Sequence, residues 1–154
     1  MKLSDIVCVD AVIPDLSVTD RDEVIKELVG VLSAVGKIPK TRAKDIAAAV
    51  ISRENEASTG IGKGVAVPHV KHSSVKKVVA AIGCSTSGID FSSLDKEPAY
   101  SVILLLSPEN NPDKHLQAME NIFKNLQKDD FRRFLRQART AEAIYEVLTD
   151  FCDE

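Results

Sequence analysis

Two runs of successive apolar residues constrain the fold of this chain most strongly. Residues 78–82 read Val-Val-Ala-Ala-Ile, and residues 102–106 read Val-Ile-Leu-Leu-Leu. They lie in candidate strands at 77–84 and 99–106, and a strand that is apolar at successive positions is covered on both faces. The sequence therefore predicts a sheet that is buried between two other layers.

Helical patterns surround these strands in the sequence, and a shorter apolar segment at 65–67 predicts a third strand. Polar capping residues or prolines stand at the predicted helix starts. The predicted helices run from residue 19 or 20 to about 35, from 39 to about 54, from 112 to about 127, from 129 or 130 to about 138, and from 141 to about 151. This order predicts an α/β fold: a single three-layer αβα domain, residues 1–154, with a mixed β-sheet flanked by helices.

Charge and hydropathy exclude several classes of function. The formal net charge is −3, and no run of lysine and arginine exceeds two residues, so nucleic acid is not a predicted partner. Three arginines near the carboxyl end are expected to form a solvated face: Arg132, Arg133 and Arg136. Residues 1–10 lack a signal-peptide pattern, and no apolar run approaches the roughly 18 residues that span a bilayer. We therefore expect a cytoplasmic protein without direct membrane insertion.

The three cysteines, Cys8, Cys84 and Cys152, are odd in number and widely spaced. No Cys-x-x-Cys pair is present, so the pattern indicates reduced thiols and gives no zinc or redox motif. Because Cys84 follows an apolar run, we expect it to be a small buried residue of the core.

The segment 58–69, Ser-Thr-Gly-Ile-Gly-Lys-Gly-Val-Ala-Val-Pro-His, departs from ordinary packing patterns. Glycines allow sharp turns and close approach of a ligand to the backbone. The strand at 65–67 then delivers His69 at its end. An imidazole titrates near neutral pH and has a nucleophilic nitrogen, so it can take up and release a phosphoryl group or a proton. We expect the active site here.

Known nucleotide-binding loops do not fit this segment. A P-loop needs Lys followed by Ser or Thr at the start of a helix, whereas Lys63 is followed by Gly64 and a strand. A dinucleotide-binding loop follows a strand and begins a helix, which is the reverse of the order here. Two interpretations remain open: backbone amides that form an anion-binding concavity beside His69, or a tight connection between a helix and a strand.

Three other residues are candidates for the same site. His72 lies three positions after His69, but the polar stretch 71–74 indicates a loop, so no metal site is predicted. His115 falls in the first turn of the first helix after the strands, where an anion is stabilised. Arg53 is able to clamp phosphoryl oxygens with its planar fork. His115 is also compatible with a solvated position, and Arg53 with a favourable position at a helix end.

A pattern of residues runs from Arg53 to His69 and continues beyond it. Its first part is Arg53-Glu54, Ser58-Thr59-Gly60-Ile61-Gly62, Gly64, Val65-Ala66-Val67 and Pro68-His69. Its second part is Gly88-Ile89-Asp90-Phe91, Leu94-Asp95, Val102 to Leu106, Pro108-Glu109 and His115-Leu116. The whole pattern closely resembles the EIIA domains of the fructose, mannitol and nitrogen-related phosphotransferase systems, and its first part resembles their phosphohistidine signature.

This resemblance implies a function. In such proteins the histidine after the proline accepts a phosphoryl group from the phosphohistidine of HPr, or of an HPr-like carrier, and passes it on. By resemblance His69 is the phosphoacceptor, His115 is the second histidine that assists the phosphoryl group, and Arg53 is the arginine before the loop. No metal or other cofactor is implied. Further groups that would hold the phosphoryl oxygens are Thr59 and the loop amides at Gly60, Gly62 and Gly64.

One residue departs from the family pattern. Val70 follows the active histidine, where this family usually has a small residue. A β-branched side chain there is expected to narrow partner access or to alter the backbone path. It removes no group that the chemistry needs.

Three functions remain open. The chain contains no permease and no cysteine-bearing domain, which favours a stand-alone, nitrogen-type regulatory EIIA whose phosphorylation is read by a regulated target protein. The alternative is a sugar-specific EIIA of fructose or mannitol type that passes phosphate to an EIIB domain in sugar uptake. In both branches the protein is a carrier more than a turnover enzyme. The third is a metal-dependent hydrolase that uses His69, His72 and His115.

Overall fold

The two central strands pair with each other and are buried on both faces. In the computed structural model, which describes residues 2–152, β5 (Val79–Ile89) runs antiparallel to β6 (Ala99–Pro108). Successive side chains of β6 enter two different cores: Leu104 packs on one face of the sheet and Leu105 on the other, and both are fully buried. This confirms the prediction drawn from the apolar runs.

Four further strands complete a mixed six-stranded sheet. They are β1 (Val7–Ile13), β2 (Gly60–Gly62), β3 (Val65–Ala66) and β4 (His69–His72). β1 pairs in parallel with β5, and β3 and β4 pair in parallel with β6, one after the other. β2 is antiparallel to β3. The predicted mixed sheet is therefore confirmed.

Helices cover both faces of this sheet. They are α1 (Leu3–Ile6), α2 (Arg21–Ala34), α3 (Ala43–Glu56), α4 (Pro112–Leu126), α5 (Asp129–Gln137) and α6 (Ala141–Cys152), with a short 3₁₀ turn at Lys40–Arg42. Side chains of α2 and α3 share a core with one face, and side chains of the other four helices share a core with the opposite face. This confirms the three-layer αβα architecture. Its extension over residues 1–154 stays a prediction, because residues 1, 153 and 154 lie outside the described part. Among the helices of residues 2–152, none is long and apolar enough to cross a membrane.

Polar side chains cap the starts of α2 and α4, two of the helices that the sequence predicts. The carboxylate of Asp20 accepts a hydrogen bond from the backbone N–H of Glu23 at 3.1 Å. At the start of α4, the side chain of Asn111 accepts one from the N–H of Lys114 at 3.4 Å. Each bond satisfies one N–H group that a helix start leaves without a partner. The second cap fixes the turn that carries His115.

Three segments differ from the predictions. The sequence pattern gives no signal for β1, because Asp10 interrupts its apolar residues and its pairing with β5 is irregular. β5 continues to Ile89, beyond the predicted end at 84, because its polar stretch follows β6 after a shift in register. The predicted loop at 71–74 is wrong for its first two residues, which belong to β4.

A two-residue turn joins β2 to β3. Gly62 pairs with Val65, and the residues between them, Lys63 and Gly64, have φ angles of 58° and 80°. Positive φ at both central positions is the requirement of a type I′ turn, whose twist matches that of paired strands. The N–H of Lys63 donates to a carboxylate oxygen of Asp95 at 2.9 Å, which holds the turn against the loop before β6. The glycine-rich segment is thus a β-hairpin.

The two cysteines whose side chains are described are free thiols. Cys84 is buried, and burial raises the pKa of its thiol to about 11, which agrees with the predicted role as a small core residue. Cys8 is also free and is half-buried. The side chain of Cys152 lies outside the described part of the chain, so its predicted reduced state stays a prediction.

We expect opposite effects from the same substitution at two glycines. Gly64→Ala places a side chain at φ 80°, where its Cβ also meets a ring carbon of Tyr100 at 3.3 Å. It should lower the free energy of unfolding by about 1–2 kcal/mol. Gly30→Ala, inside α2 with no other atom within 4 Å of the new Cβ, should raise it by about 0.5–1 kcal/mol. Urea unfolding followed by circular dichroism measures both changes, and an unchanged Gly64→Ala variant would contradict the assigned turn.

Candidate functional site

The pairing of β4 with β6 places His69 in the sheet. His69 lies opposite Leu105 in a parallel register, and the carbonyl of Pro68 accepts a hydrogen bond from the N–H of Leu105 at 3.0 Å. Pro68 separates β3 from β4, since it has no N–H to donate to a sheet. The predicted strand at 65–67 therefore ends one residue early, and His69 begins a strand instead of following the end of one.

A backbone hydrogen bond fixes the imidazole ring of His69. Its Nδ1 lies 2.8 Å from the carbonyl oxygen of Val67. A carbonyl oxygen only accepts hydrogen bonds, so Nδ1 carries a proton and donates it. In the neutral ring the other nitrogen, Nε2, then has a free lone pair. The site therefore presents one defined nucleophilic nitrogen.

His115 faces His69 from helix α4. The two ring centroids lie 5.6 Å apart, with an angle of 42° between the ring planes. The Nδ1 of His115 lies 2.7 Å from the hydroxyl oxygen of Ser107, a fully buried residue near the end of β6. The strand end and the first turn of the helix thus hold the second ring beside the first. The structure brings together the two histidines that the sequence analysis assigns to one site.

Both histidines favour the neutral form. Burial lowers the pKa of His69 below 6.5; the hydrogen bond to Val67 opposes this shift, and the charge of Arg53 adds to it. The pKa of His115 is lowered to about 4, first by burial and then by the positive charges of His69 and Lys71. Protonation of both rings at once is unfavourable, because the two positive charges would lie in one site. A neutral ring is what a nucleophilic histidine requires.

The positive charge of Arg53 lowers the pKa of His69 without a direct hydrogen bond between the two side chains. Its Nη1 donates a hydrogen bond to the carbonyl oxygen of Ala57 at 3.0 Å, at the end of α3. Positive charge at the carboxyl end of a helix is favourable. This is the helix-end position considered in the sequence analysis, and it leaves further N–H groups of the guanidinium near the site.

A buried carboxylate connects α3 to His69 through a chain of hydrogen bonds. Glu54 is 3% exposed, and its two carboxylate oxygens accept from the N–H and the hydroxyl of Thr59 at 2.6 and 2.7 Å. The carbonyl of Thr59 accepts from the N–H of Val67 at 3.1 Å, and the carbonyl of Val67 holds the His69 ring. Thr59 therefore has a positioning role. Its direct contact with a phosphoryl group stays a prediction, since Glu54 occupies both of its donors.

The structure separates the three loop glycines. Gly60 lies at the start of the hairpin, and its N–H donates to the hydroxyl of Ser58 at 3.0 Å. Gly62 and Gly64 lie at the turn, and the sheet register places that turn at least four residues from His69, or about 13 Å along the strands. These two residues do not form the expected amide concavity beside the ring, because the hairpin carries them away from it. The role of Gly60 toward a phosphoryl group stays a prediction.

His72 is not brought to the site. Side chains alternate along a strand, so His72 lies on the face of β4 opposite to His69. Its Nδ1 accepts a hydrogen bond from the N–H of Ser74 at 3.0 Å. Among the side chains that the structure describes, no group of three His, Cys, Asp or Glu is arranged to hold a metal ion. The metal-dependent hydrolase, which needs His72 beside His69 and His115, gains no support from this placement.

Val70, the residue that departs from the family pattern, packs away from the site. It is half-buried and joins the core under α2 and α3. It follows His69 in the sequence, but its side chain lies on the other face of the strand. The expected narrowing of access to the imidazole is therefore not present.

The sequence analysis does not identify two groups of this site. Ser107 holds the ring of His115, and Lys71 lies opposite Ser107 in the register of β4 and β6. The charge of Lys71 lowers the pKa of both histidines, so its ammonium group belongs to the same electrostatic environment. The one available signal for Ser107 is a hydroxyl that directly follows the apolar run at 102–106. For Lys71 the signal appears only once the parallel register is known.

Solved structures with the same fold define the class of protein as EIIA. The nitrogen regulatory protein IIA of Neisseria meningitidis matches with a TM-score of 0.85 at 25% identity, over 95% of this chain and 98% of that chain. The mannitol enzyme IIA of Escherichia coli, solved in complex with phosphorylated enzyme IIB, matches with a TM-score of 0.77 at 18% identity, over 92% of this chain and 95% of that chain.

Sequence relatives place the chain within one family of this class. It is 32% identical over 148 residues to the fructose-specific EIIABC component of Bacillus subtilis, which covers 96% of this chain but only 23% of the relative. It is also 32% identical over 148 residues to a nitrogen regulatory protein of Bradyrhizobium diazoefficiens, which covers 96% of this chain and 95% of the relative. The sequence model of the phosphoenolpyruvate-dependent sugar phosphotransferase system EIIA 2 family matches residues 6–151. The chain belongs to this family, which confirms the membership inferred from the signature and fits a phosphocarrier function.

We expect His115 to titrate well below an ordinary histidine. NMR of its ring protons, assigned with the variant His115→Gln, should give a midpoint near pH 4. In the unfolded chain the ring titrates at about 6.5, so the unfolded state binds more protons between these two values. The free energy of unfolding should therefore be largest above pH 6.5 and fall as the pH is lowered toward 4.

His115→Gln should remove part of this pH dependence, because glutamine does not titrate. Urea unfolding at several pH values measures it in both proteins. A titration midpoint at the ordinary value, or an unchanged pH dependence in the variant, would contradict the environment described for this ring.

Proposed function

We propose that this protein is a phosphohistidine carrier that accepts a phosphoryl group on Nε2 of His69 from HPr or an HPr-like donor. The hydrogen bond between Nδ1 and the carbonyl of Val67, at 2.8 Å, carries this proposal. It leaves Nε2 as the one nitrogen of the ring with a free lone pair. Membership of the EIIA 2 family supports the same assignment.

The proposed transfer requires no proton to move at His69. Nε2 attacks the phosphorus atom of the donor's phosphohistidine. The new N–P bond forms as the donor's N–P bond breaks, and the donor's imidazole leaves with the electron pair of that bond. Nδ1 keeps its proton throughout, and that proton stays hydrogen-bonded to the carbonyl oxygen of Val67. Such a reaction depends on positioning and on stabilisation of charge.

Three groups would stabilise the phosphoryl oxygens. With the hydroxyl of Ser107 donating to Nδ1 of His115, the neutral ring of His115 carries its proton on Nε2 and donates from there to an oxygen. Lys71 and Arg53 supply positive charge, which already acts on the His69 ring in the resting protein. Hydrogen bonds and cations of this kind are aimed at the charge of the transferred group.

An exposed apolar side chain beside the rings suits contact with the donor. Leu116 is 57% exposed and directly follows His115, and Met119, half-buried, lies close to one turn further along α4. Apolar contacts with a polar rim are typical of surfaces that meet a partner. We place this exchange in the cytoplasm, where the sequence analysis expects the protein.

We infer the nitrogen-type regulatory branch, with a regulated target protein as the partner. The likeness to the nitrogen regulatory protein IIA, at a TM-score of 0.85, exceeds the likeness to the mannitol enzyme IIA, at 0.77. A sugar-specific EIIA is the second candidate, favoured by the 32% identity to the fructose-specific component. Rapid passage of the phosphoryl group to an isolated EIIB domain of fructose or mannitol type would assign the sugar branch.

Replacement of His69 should abolish phosphorylation. Incubation with phosphoenolpyruvate, the general phosphotransfer enzyme and HPr should add one acid-labile phosphoryl group per chain, measured by intact mass, and His69→Ala should add none. His72→Ala is the matched control, because its ring lies on the other face of β4 and should leave labelling complete. Complete labelling of His69→Ala would refute the assignment.

Lys71→Gln should slow the transfer without preventing it. Loss of one positive charge near both rings should lower the rate roughly three- to tenfold, which corresponds to at most about 1.4 kcal/mol in the barrier. Rapid-quench measurement of phosphoryl transfer from phosphorylated HPr gives the rate. Lys44→Gln removes the same charge from the exposed surface of α3 and should leave the rate within about twofold. Equal slowing in both variants would mean that only the overall charge matters.

A further inference from the structure

A cavity lined by arginine side chains lies away from the two histidines. Its volume is about 560 Å³, within the range of roughly 300–1,000 Å³ that is typical of small-ligand sites. The β2–β3 hairpin, the start of β6 and helix α5 surround it, together with the residues that follow α5. Its charged lining residues are Lys63, Asp129, Arg132, Arg133, Arg136 and Arg139.

Positive charge is concentrated in this cavity although the chain as a whole is acidic. Five cationic side chains share the lining with one carboxylate, whereas the formal net charge of the chain is −3. Arg132 pairs with Asp129, and Arg133 pairs with Asp130 at 2.9 Å. Three of the cations have no carboxylate partner within residues 2–152: Lys63, Arg136 and Arg139. The cavity therefore holds an excess of positive charge that an anion would neutralise.

The guanidinium groups are held in place without a ligand. The central carbon of Arg136 lies 3.6 Å from the centroid of the Tyr100 ring, in a cation–π contact. Stacking uses the flat face of the guanidinium and leaves its N–H groups at the edge, where the planar fork binds pairs of phosphate oxygens. Nη1 of Arg139 donates to the carbonyl of Arg136 at 3.1 Å. Donors that are already fixed lose less conformational freedom on binding.

Arg133 and Arg136 are exposed, as the sequence analysis expects for a solvated face, whereas Arg132 is not. The side chain of Arg132 is only 15% exposed, and Arg133 and Arg136 line a concave surface. An extended basic strip would suit a nucleic acid or an acidic peptide. An open concave surface between a hairpin and a helix, with a volume of about 560 Å³, suits a compact ligand instead.

We propose that this cavity binds a small anion that carries two or more phosphate groups, such as a nucleoside diphosphate. The unpaired cations match such a charge, and arginine forks match the geometry of phosphate oxygens. The cavity residue Ser101 precedes Leu105, the partner of His69, by four residues of β6, or about 13 Å. The proposal therefore does not depend on phosphorylation of His69.

Titration calorimetry with inorganic pyrophosphate and with ADP, at physiological salt, tests the proposal. Both should bind with one equivalent per chain and more tightly than orthophosphate. Arg136→Gln should weaken the binding tenfold or more, while Arg42→Gln, which removes the same charge from an exposed position outside the cavity, should change it less than twofold. Phosphoryl transfer to His69 should be unaffected by Arg136→Gln.

Several results would overturn the proposal. They are the absence of saturable binding of pyrophosphate and ADP, an affinity for orthophosphate equal to that for pyrophosphate, and equal loss in Arg42→Gln. Tighter binding of a decaglutamate peptide that also depends on Arg136 would assign the cavity to an acidic protein segment instead. If urea unfolding shows that Arg136→Gln does not fold, Lys63→Asn serves in its place, since asparagine tolerates the positive φ of that position.

Discussion

The hydrogen-bonded pairing of β6 is the interaction on which the rest of this structure depends. β6 bonds to β5 on one side and to β3 and β4 on the other, and its side chains enter both cores. Close packing on both faces allows such a strand little movement. Its last residues orient His115 through Ser107, and its pairing with β4 orients His69. Its first residues carry Tyr100, the platform for Arg136. One strand thus fixes the positions of both the histidine site and the arginine cavity.

The chemistry of the histidine site arises from neutral groups more than from charged ones. A carbonyl oxygen sets the tautomer of His69, and a hydroxyl holds His115. Burial lowers the pKa of both rings and so favours their neutral form. The nearby cations, Arg53 and Lys71, act on the pKa of His69 through their charge. Among the described residues, the one buried carboxylate is that of Glu54. Both of its oxygens accept hydrogen bonds from Thr59, so it holds the backbone that supports the site. This arrangement keeps a lone pair available while positive charge surrounds it.

Much of the fold and part of the site follow from the sequence. The apolar runs at 78–82 and 102–106 predict the buried sheet. Successive side chains of a strand point to opposite faces, so a run that is apolar at every position needs a core on each face. His69, His115 and Arg53 are found by type, position and resemblance. The hairpin is harder, since a type I′ turn that begins with Lys63 lacks the usual asparagine or aspartate signal. The partner of the Lys63 amide, Asp95, and the approach of Lys71 to Ser107 depend on tertiary pairing that no local pattern encodes.

The position of Val70 has a consequence for how members of this family diverge. Its side chain fills the layer beneath the sheet, next to residues of α2 and α3. The volume at this position is therefore coupled to that of those helices, and it can change with them without altering the His69 ring on the other face. Residues 69 and 70 are adjacent in the sequence yet meet separate structural requirements: His69 has to face His115, and Val70 has to fit a core.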